Sequence, residues 1–159
     1  MHTPTRRGFL AASAALAAFP LLPVRLRAET APRLLTAATR TIEVKGRAAT
    51  VFGLLNAQGT LGLTLDSGER FRVDLTNALA IETLIHWHGQ IPPNVQDGVP
   101  GMPAPMLKPG ESRSYDFAAH PGTHWMHAHI PDQEVGLLAA PLIVRSAEDA
   151  KADRQEVDR

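Results

Sequence analysis

His86-Trp87-His88 and His127-Ala128-His129 place two His-x-His pairs in a chain of 159 residues. A β-strand sends alternate side chains to opposite faces, so each pair puts both imidazoles on one side. Two such strands lying together would gather four neutral nitrogen ligands into one patch. Imidazole suits copper, zinc, iron and nickel, and copper(II) binds most tightly of the divalent series. The chain has no cysteine, which removes thiolate zinc sites, disulfides and cysteine nucleophiles from consideration. Structural zinc sites usually include cysteine, and catalytic ones are often three histidines or two with a carboxylate. Copper is therefore the leading expectation and zinc its competitor. A lone strand histidine is usually a half-exposed polar residue, and His120 and His124 take that reading. Repetition of ligand spacing on two strands sets the pairs apart.

The elements that must carry these residues read as short strands separated by turns, without an amphipathic helix. Arg40 to Lys45, Ala48 to Leu55, Arg70 to Leu75, Glu82 to His88, Glu111 to Phe117, Thr123 to Ile130 and Leu137 to Val144 have apolar or alternating character. Seven or so strands at this spacing, with glycine and proline between them, predict an all-β fold, a Greek-key β-sandwich. Parity adds a direction. Ile85 and Trp87 share one face of their strand and Met126, Ala128 and Ile130 one face of theirs, so the histidines point away from the core. Trp125 shares the histidine face, where it would act as a packing wall. A finished metal site buries its ligands behind further partners. An outward patch of four histidines is thus expected to meet another domain or subunit.

Between Ile91 and Gly110 six prolines interrupt any regular pairing. This segment leaves directly from the first histidine pair and reads as a rigid connector between sheets, as a functional loop, or as both. Within it Asp97-Gly98 reads as a turn.

The N-terminus carries Arg6, Arg7, Arg25 and Arg27 and no acid before Glu29. Thr5-Arg6-Arg7-Gly8-Phe9-Leu10 resembles a twin-arginine export signal. The uncharged stretch after it, broken by Pro20 and Pro23, is shorter than the roughly 20 residues of a spanning helix. The expected organisation is a signal peptide at 1–28, one domain at 29–146 and a charged tail at 147–159, either a solvated helix or disordered. The expected location is the periplasm, with membrane contact through the export signal alone. The formal net charge is 0, but the body without the signal has 12 basic and 16 acidic residues. A mildly acidic body gives no support to nucleic-acid binding.

Ile85-His86-Trp87-His88-Gly89, Asp97-Gly98, Pro109-Gly110-Glu111, Gly122-Thr123-His124-Trp125-Met126-His127-Ala128-His129 and Gly136-Leu137 through Val144 follow one another in the order of a known pattern. It resembles the N-terminal plastocyanin-like (cupredoxin) domain of the multicopper oxidases, over about Thr41 to Arg145. In that family the first domain supplies four of the eight histidines around a trinuclear copper cluster that reduces dioxygen to water. The resemblance implies that His86 ligates the type 2 copper, His88 and His127 one type 3 copper, and His129 the other. It also implies that Asp97 assists proton delivery as a catalytic acid, a reading that stands beside the plain turn. Met126 stands where the family usually has tyrosine or phenylalanine.

The family's type 1 copper needs a cysteine, and its other four cluster histidines come from later segments that this chain lacks. The expectation is a half-site that is inactive without partner domains. A second expectation is a stand-alone periplasmic copper-binding or sequestering protein, in which a homodimer would pair two patches across a two-fold axis. A third is a scaffold that keeps the fold and binds no metal, which the four intact ligand residues disfavour.

Overall fold

The computed structural model describes residues 31–101, 103–149 and 151. The expected signal peptide at 1–28 and most of the tail lie outside these residues. Among the described residues eight strands follow in order: β1 (Arg33–Val44), β2 (Arg47–Asn56), β3 (Leu63–Leu65), β4 (Arg70–Asn77), β5 (Ile85–His88), β6 (Ser112–Ala118), β7 (Gly122–Ala128) and β8 (Ala139–Val144). A 3-10 turn at Asn94–Gln96 follows β5, and a short helix α1 (Pro131–Val135) follows β7.

The strands form two four-stranded sheets, ordered β2-β1-β4-β6 and β3-β8-β7-β5. The alternation read at Arg70 to Leu75 turns Phe71, Val73 and Leu75 into the core. Opposite them lie Ile85 and Trp87 of β5, Met126 and Ala128 of β7, and Leu142 and Val144 of β8. The expected β-sandwich is therefore the observed architecture.

An aromatic cluster joins the sheets behind the first histidine pair. The Phe71 ring lies 4.7 Å from Trp87 and 4.6 Å from Phe117, and Trp87 meets Tyr115 edge-on at 4.8 Å. Truncating a buried Trp to Ala costs about 3–5 kcal/mol, a large share of a typical stability of about 5–15 kcal/mol. Trp87, between His86 and His88, thus anchors the strand that presents both.

Several elements differ from the sequence reading, and two strands simply start later than expected, β5 at Ile85 rather than Glu82 and β8 at Ala139 rather than Leu137. The first strand begins at Arg33, and its core-facing residues are Leu35 and Ala37, while Val44 is 48% exposed. The hairpin of β1 and β2 stays paired to Val44↔Arg47, whereas β4 accompanies β1 only from Arg33 to Ala37, so its tip reaches past the sandwich. Lys45 and Gly46 both take positive φ there, as a two-residue hairpin turn requires. The strand expected through Ile130 stops at Ala128, and α1 starts at Pro131, where proline suits a first helical position. β3, three residues long, was not expected at all.

The proline-rich segment leaves β5 in one sheet and enters β6 in the other, so it does connect the sheets. It is held to the body: Thr83 and Leu107 exchange two backbone bonds at 3.0 and 2.8 Å, and Leu107 is buried. At the other end of the chain, residues 147–149 are helical, and Ser146 and Asp149 cap each other reciprocally.

Candidate metal centre

β5 and β7 are antiparallel neighbours, and the register sets His86 directly across from His127 and His88 across from Trp125. With Ile85, Trp87, Met126 and Ala128 fully buried on one face, the alternation leaves the histidines on the other. The ring of His86 lies 5.6 Å from each of His88, His127 and His129. Ligand atoms of His86, His88 and His127 all fall within 4.8 Å of one another. His129 joins this group by its ring spacing, 5.7 Å from His127.

The four are not equally open. His88 and His129 are exposed and His86 half-buried, but His127 retains only 4% exposure. The outward direction read from parity thus holds for the face while one of its members is covered. The cover is Trp125, whose indole stacks on the His127 ring at 3.8 Å with 5° between the planes. Trp125 also leans on His88 at 5.4 Å, which makes it the packing wall that its position on the strand suggested.

Hydrogen bonds fix two of the imidazoles. His86 Nδ1 lies 2.9 Å from the main-chain carbonyl of Asp97. A carbonyl only accepts, so Nδ1 donates, and in the neutral ring Nε2 is the nitrogen with the lone pair. His127 Nδ1 donates in the same way to the Ala128 carbonyl at 3.2 Å, with the Glu134 carboxylate 3.5 Å away. Burial holds the His127 imidazole below its ordinary pKa, partly opposed by Glu134, and so favours the neutral form that binds metals. Its Nε2 is buried with no hydrogen-bond partner among the described residues. A buried polar atom of this kind is expensive unless something meets it. A metal ion is the group that a neutral imidazole lone pair among other imidazoles fits, and a protein donor hydrogen is what the site does not offer.

Asp97 belongs to the site chiefly through its backbone. Besides its carbonyl on His86, the preceding Gln96 carbonyl accepts from Trp87 Nε1 at 2.8 Å. These two bonds lay the loop against β5, and Gly98 makes the approach possible. A Cβ at Gly98 would stand 1.8 Å from the Ile85 carbonyl oxygen, and its φ is +75°. The Asp97 carboxylate reaches 3.5 Å from His86 Nδ1 and is about a quarter exposed. Asp97-Gly98 is thus a bend that also serves the histidine.

His120 and His124 stay out of the cluster. His124 Nε2 donates to the His120 carbonyl, and its ring packs over Gly89. Gln90, which the sequence reading passed over, clasps His120 by both its backbone groups, at 2.8 and 3.2 Å, and so steadies the turn behind His88. A cleft lined by Leu34, Asn56, Leu61, Pro141 and Ile143, among others, holds no histidine and no acid.

Residues 37–149 match the family profile of the multicopper oxidases. A multicopper oxidase of Talaromyces pinophilus is 39% identical over 90 residues, covering 55% of this chain and 15% of that protein. Copper resistance protein A of Pseudomonas syringae pv. tomato is 32% identical over 108 residues, covering 67% of this chain and 18% of its own length. Among solved structures, a multicopper oxidase of Pseudomonas thermotolerans superimposes with a TM-score of 0.66 and 32% identity, covering 74% of this chain and 30% of that one. The chain therefore spans less than a fifth of these two curated relatives.

Proposed function

The chain belongs to the multicopper oxidase family, and from that footing we propose that His86, His88, His127 and His129 hold copper as one half of a trinuclear cluster. Its two-sheet sandwich is of the cupredoxin type found in that family. The observation that carries the proposal is the convergence of three imidazoles within 4.8 Å around a buried, unpartnered His127 Nε2. By the family pattern His86 would serve the type 2 copper, His88 and His127 one type 3 copper, and His129 the other. When bound, the copper supplies the electron-transfer chemistry by which this family reduces dioxygen.

The protein's own groups orient and protect. The Asp97 and Ala128 carbonyls accept from Nδ1 of His86 and His127, which leaves Nε2 of each neutral ring as the metal ligand. Trp125 excludes water from His127. By the family pattern the Asp97 carboxylate, partly open to solvent and 3.5 Å from His86 Nδ1, would assist proton delivery.

His88 and His129 are exposed on the same face, which supports a partner surface: further cupredoxin domains or another subunit bringing the remaining ligands. This sequence has no cysteine, so a type 1 copper site and the substrate contacts beside it would lie in such a further domain or subunit. The twin-arginine pattern supports export to the periplasm. Fractionation that finds the protein with its N-terminus intact in the cytoplasm contradicts this.

Calorimetric titration of the chain with copper(II) and zinc(II) tests the site. Copper binding should dominate, and H88A/H127A should lose at least a hundredfold in affinity. Unchanged binding by that variant removes the assignment. Gel filtration in the same series distinguishes partner from self-association, since a copper-linked dimer would support a second copy covering the face.

A further inference from the structure

Three of the four histidines lie within the β5–β7 ladder, which runs from Ile85↔Ala128 to His88↔Trp125. His129 lies one residue beyond its end. The chain there leaves the sheet as an excursion through Ile130 and α1, and closes again where Ala128 N donates to Leu138 O at 2.9 Å. No ladder bond therefore sets the distance from His129 to His86.

A buried side chain does so instead. Gln133, in the middle of α1, is 4% exposed. Its Nε2 donates to the Glu82 carbonyl at 2.7 Å, and its Oε1 accepts from Thr83 Oγ1 at 2.6 Å. Glu82 and Thr83 run straight into β5, the strand that carries His86. Thr83 is itself fully buried and fixed by its two backbone bonds to Leu107. On the helix side, Gln133 N donates to Ile130 O at 3.0 Å and Gln133 O accepts from Leu138 N at 2.9 Å. One residue thus clasps both ends of the excursion and ties it to the histidine strand opposite. The far end of α1 is tied elsewhere, to β2 through Phe52 N and Gly136 O.

We propose that Gln133 is a positioning residue, whose amide holds His129 at its 5.6 Å ring spacing from His86. Packing alone does not call for an amide at this place, since methionine has a similar length and flexibility. Two directional bonds to consecutive residues do call for one. The inference rests on the four-histidine reading above, because only a ligand needs its distance kept. Loss of a group that orients a metal ligand typically lowers metal affinity about 10–100-fold.

The test compares the chain with Q133M, T83V/Q133M and H129A. Two quantities are measured: copper(II) affinity, and NMR cross-relaxation between the imidazole rings in metal-free protein. Q133M should bind copper about tenfold more weakly and lose the His86–His129 cross-peak while keeping that of His86 and His127. Adding H129A to Q133M should then cost little more. The double variant places apolar groups on both sides of the Thr83 contact, so it should fold even if Q133M does not. It should show the same two losses. Wild-type affinity with an intact His86–His129 cross-peak in either folded variant overturns the inference. If H129A alone leaves affinity unchanged, the four-histidine reading fails instead, and the ring cross-peak still decides the role of Gln133.

Discussion

G98A tests how the loop after β5 is held to the histidine strand. Two costs combine at this position. The first is conformational: an L-residue at φ +75° costs about 1–2 kcal/mol. The second is steric. The new methyl would lie 1.8 Å from Ile85 O, 2.5 Å from Ile85 C and 3.0 Å from His86 N, all of them backbone. No side chain can swing aside, so the loop must lift off β5. Lifting it breaks the bonds from Trp87 Nε1 to Gln96 O and from His86 Nδ1 to Asp97 O, each worth about 0.5–1.5 kcal/mol. The expected loss is about 2–5 kcal/mol in all. Gly68 gives the control, since it has the same φ of +75° with nothing within 4 Å of its would-be Cβ. G68A should therefore lose only the conformational part, about 1–2 kcal/mol. Urea unfolding of the metal-free chain measures both. Copper titration should show about a tenfold weakening for G98A and none for G68A. Equal stability losses in the two variants, or full copper affinity in G98A, would refute the close-approach argument.

Three further outcomes follow from the same geometry. H127L removes an unpartnered buried nitrogen together with the Nδ1 bond to Ala128 O, and the two effects offset, so the metal-free protein should stay within about 1 kcal/mol of wild type while copper affinity collapses; thermal unfolding and titration together check this. Copper(II) should quench the emission of Trp125, which stacks on His127 at 3.8 Å, and W125F should remove most of that quenching, because the remaining Trp87 lies on the core side of its strand. Burial pushes the Tyr115 phenol above its ordinary pKa of 10.0, with Arg113 opposing. The stability it contributes is then present in full below about pH 10 and lost as pH rises through the folded-state value, so ultraviolet titration should show delayed ionisation ending in alkaline unfolding; a midpoint at the ordinary value with the fold intact contradicts this.

The histidine face was legible because its signal is periodic. Parity alone put Trp87 and Met126 in the core and His86 and His88 outside, and hydrogen-bonded register then made His86 and His127 neighbours. The covering of His127 was only half legible. Trp125 shares its face, but two residues of spacing cannot say whether an indole lies flat on an imidazole or points to solvent. β3 escaped because three residues hold too little alternation to stand out. α1 escaped because five residues hold too little helical period, although Pro131 and Gly136 mark its ends. The first strand was placed too late because Leu34 and Leu35 are adjacent apolar residues of which only Leu35 is buried, which blurs the alternation. Gln90 and Gln133 were invisible for another reason. A polar residue earns its place there through partners 30 and 50 residues away in sequence, and nothing in its own neighbourhood announces them.

The most direct measurement is pulsed electron paramagnetic resonance of the chain loaded with one equivalent of copper(II), for wild type and H88A/H127A. Wild type should show nuclear modulation from the remote nitrogens of more than one equatorial imidazole, and the double variant should lose most of it. The same modulation in both proteins would contradict the claim that these histidines hold the metal.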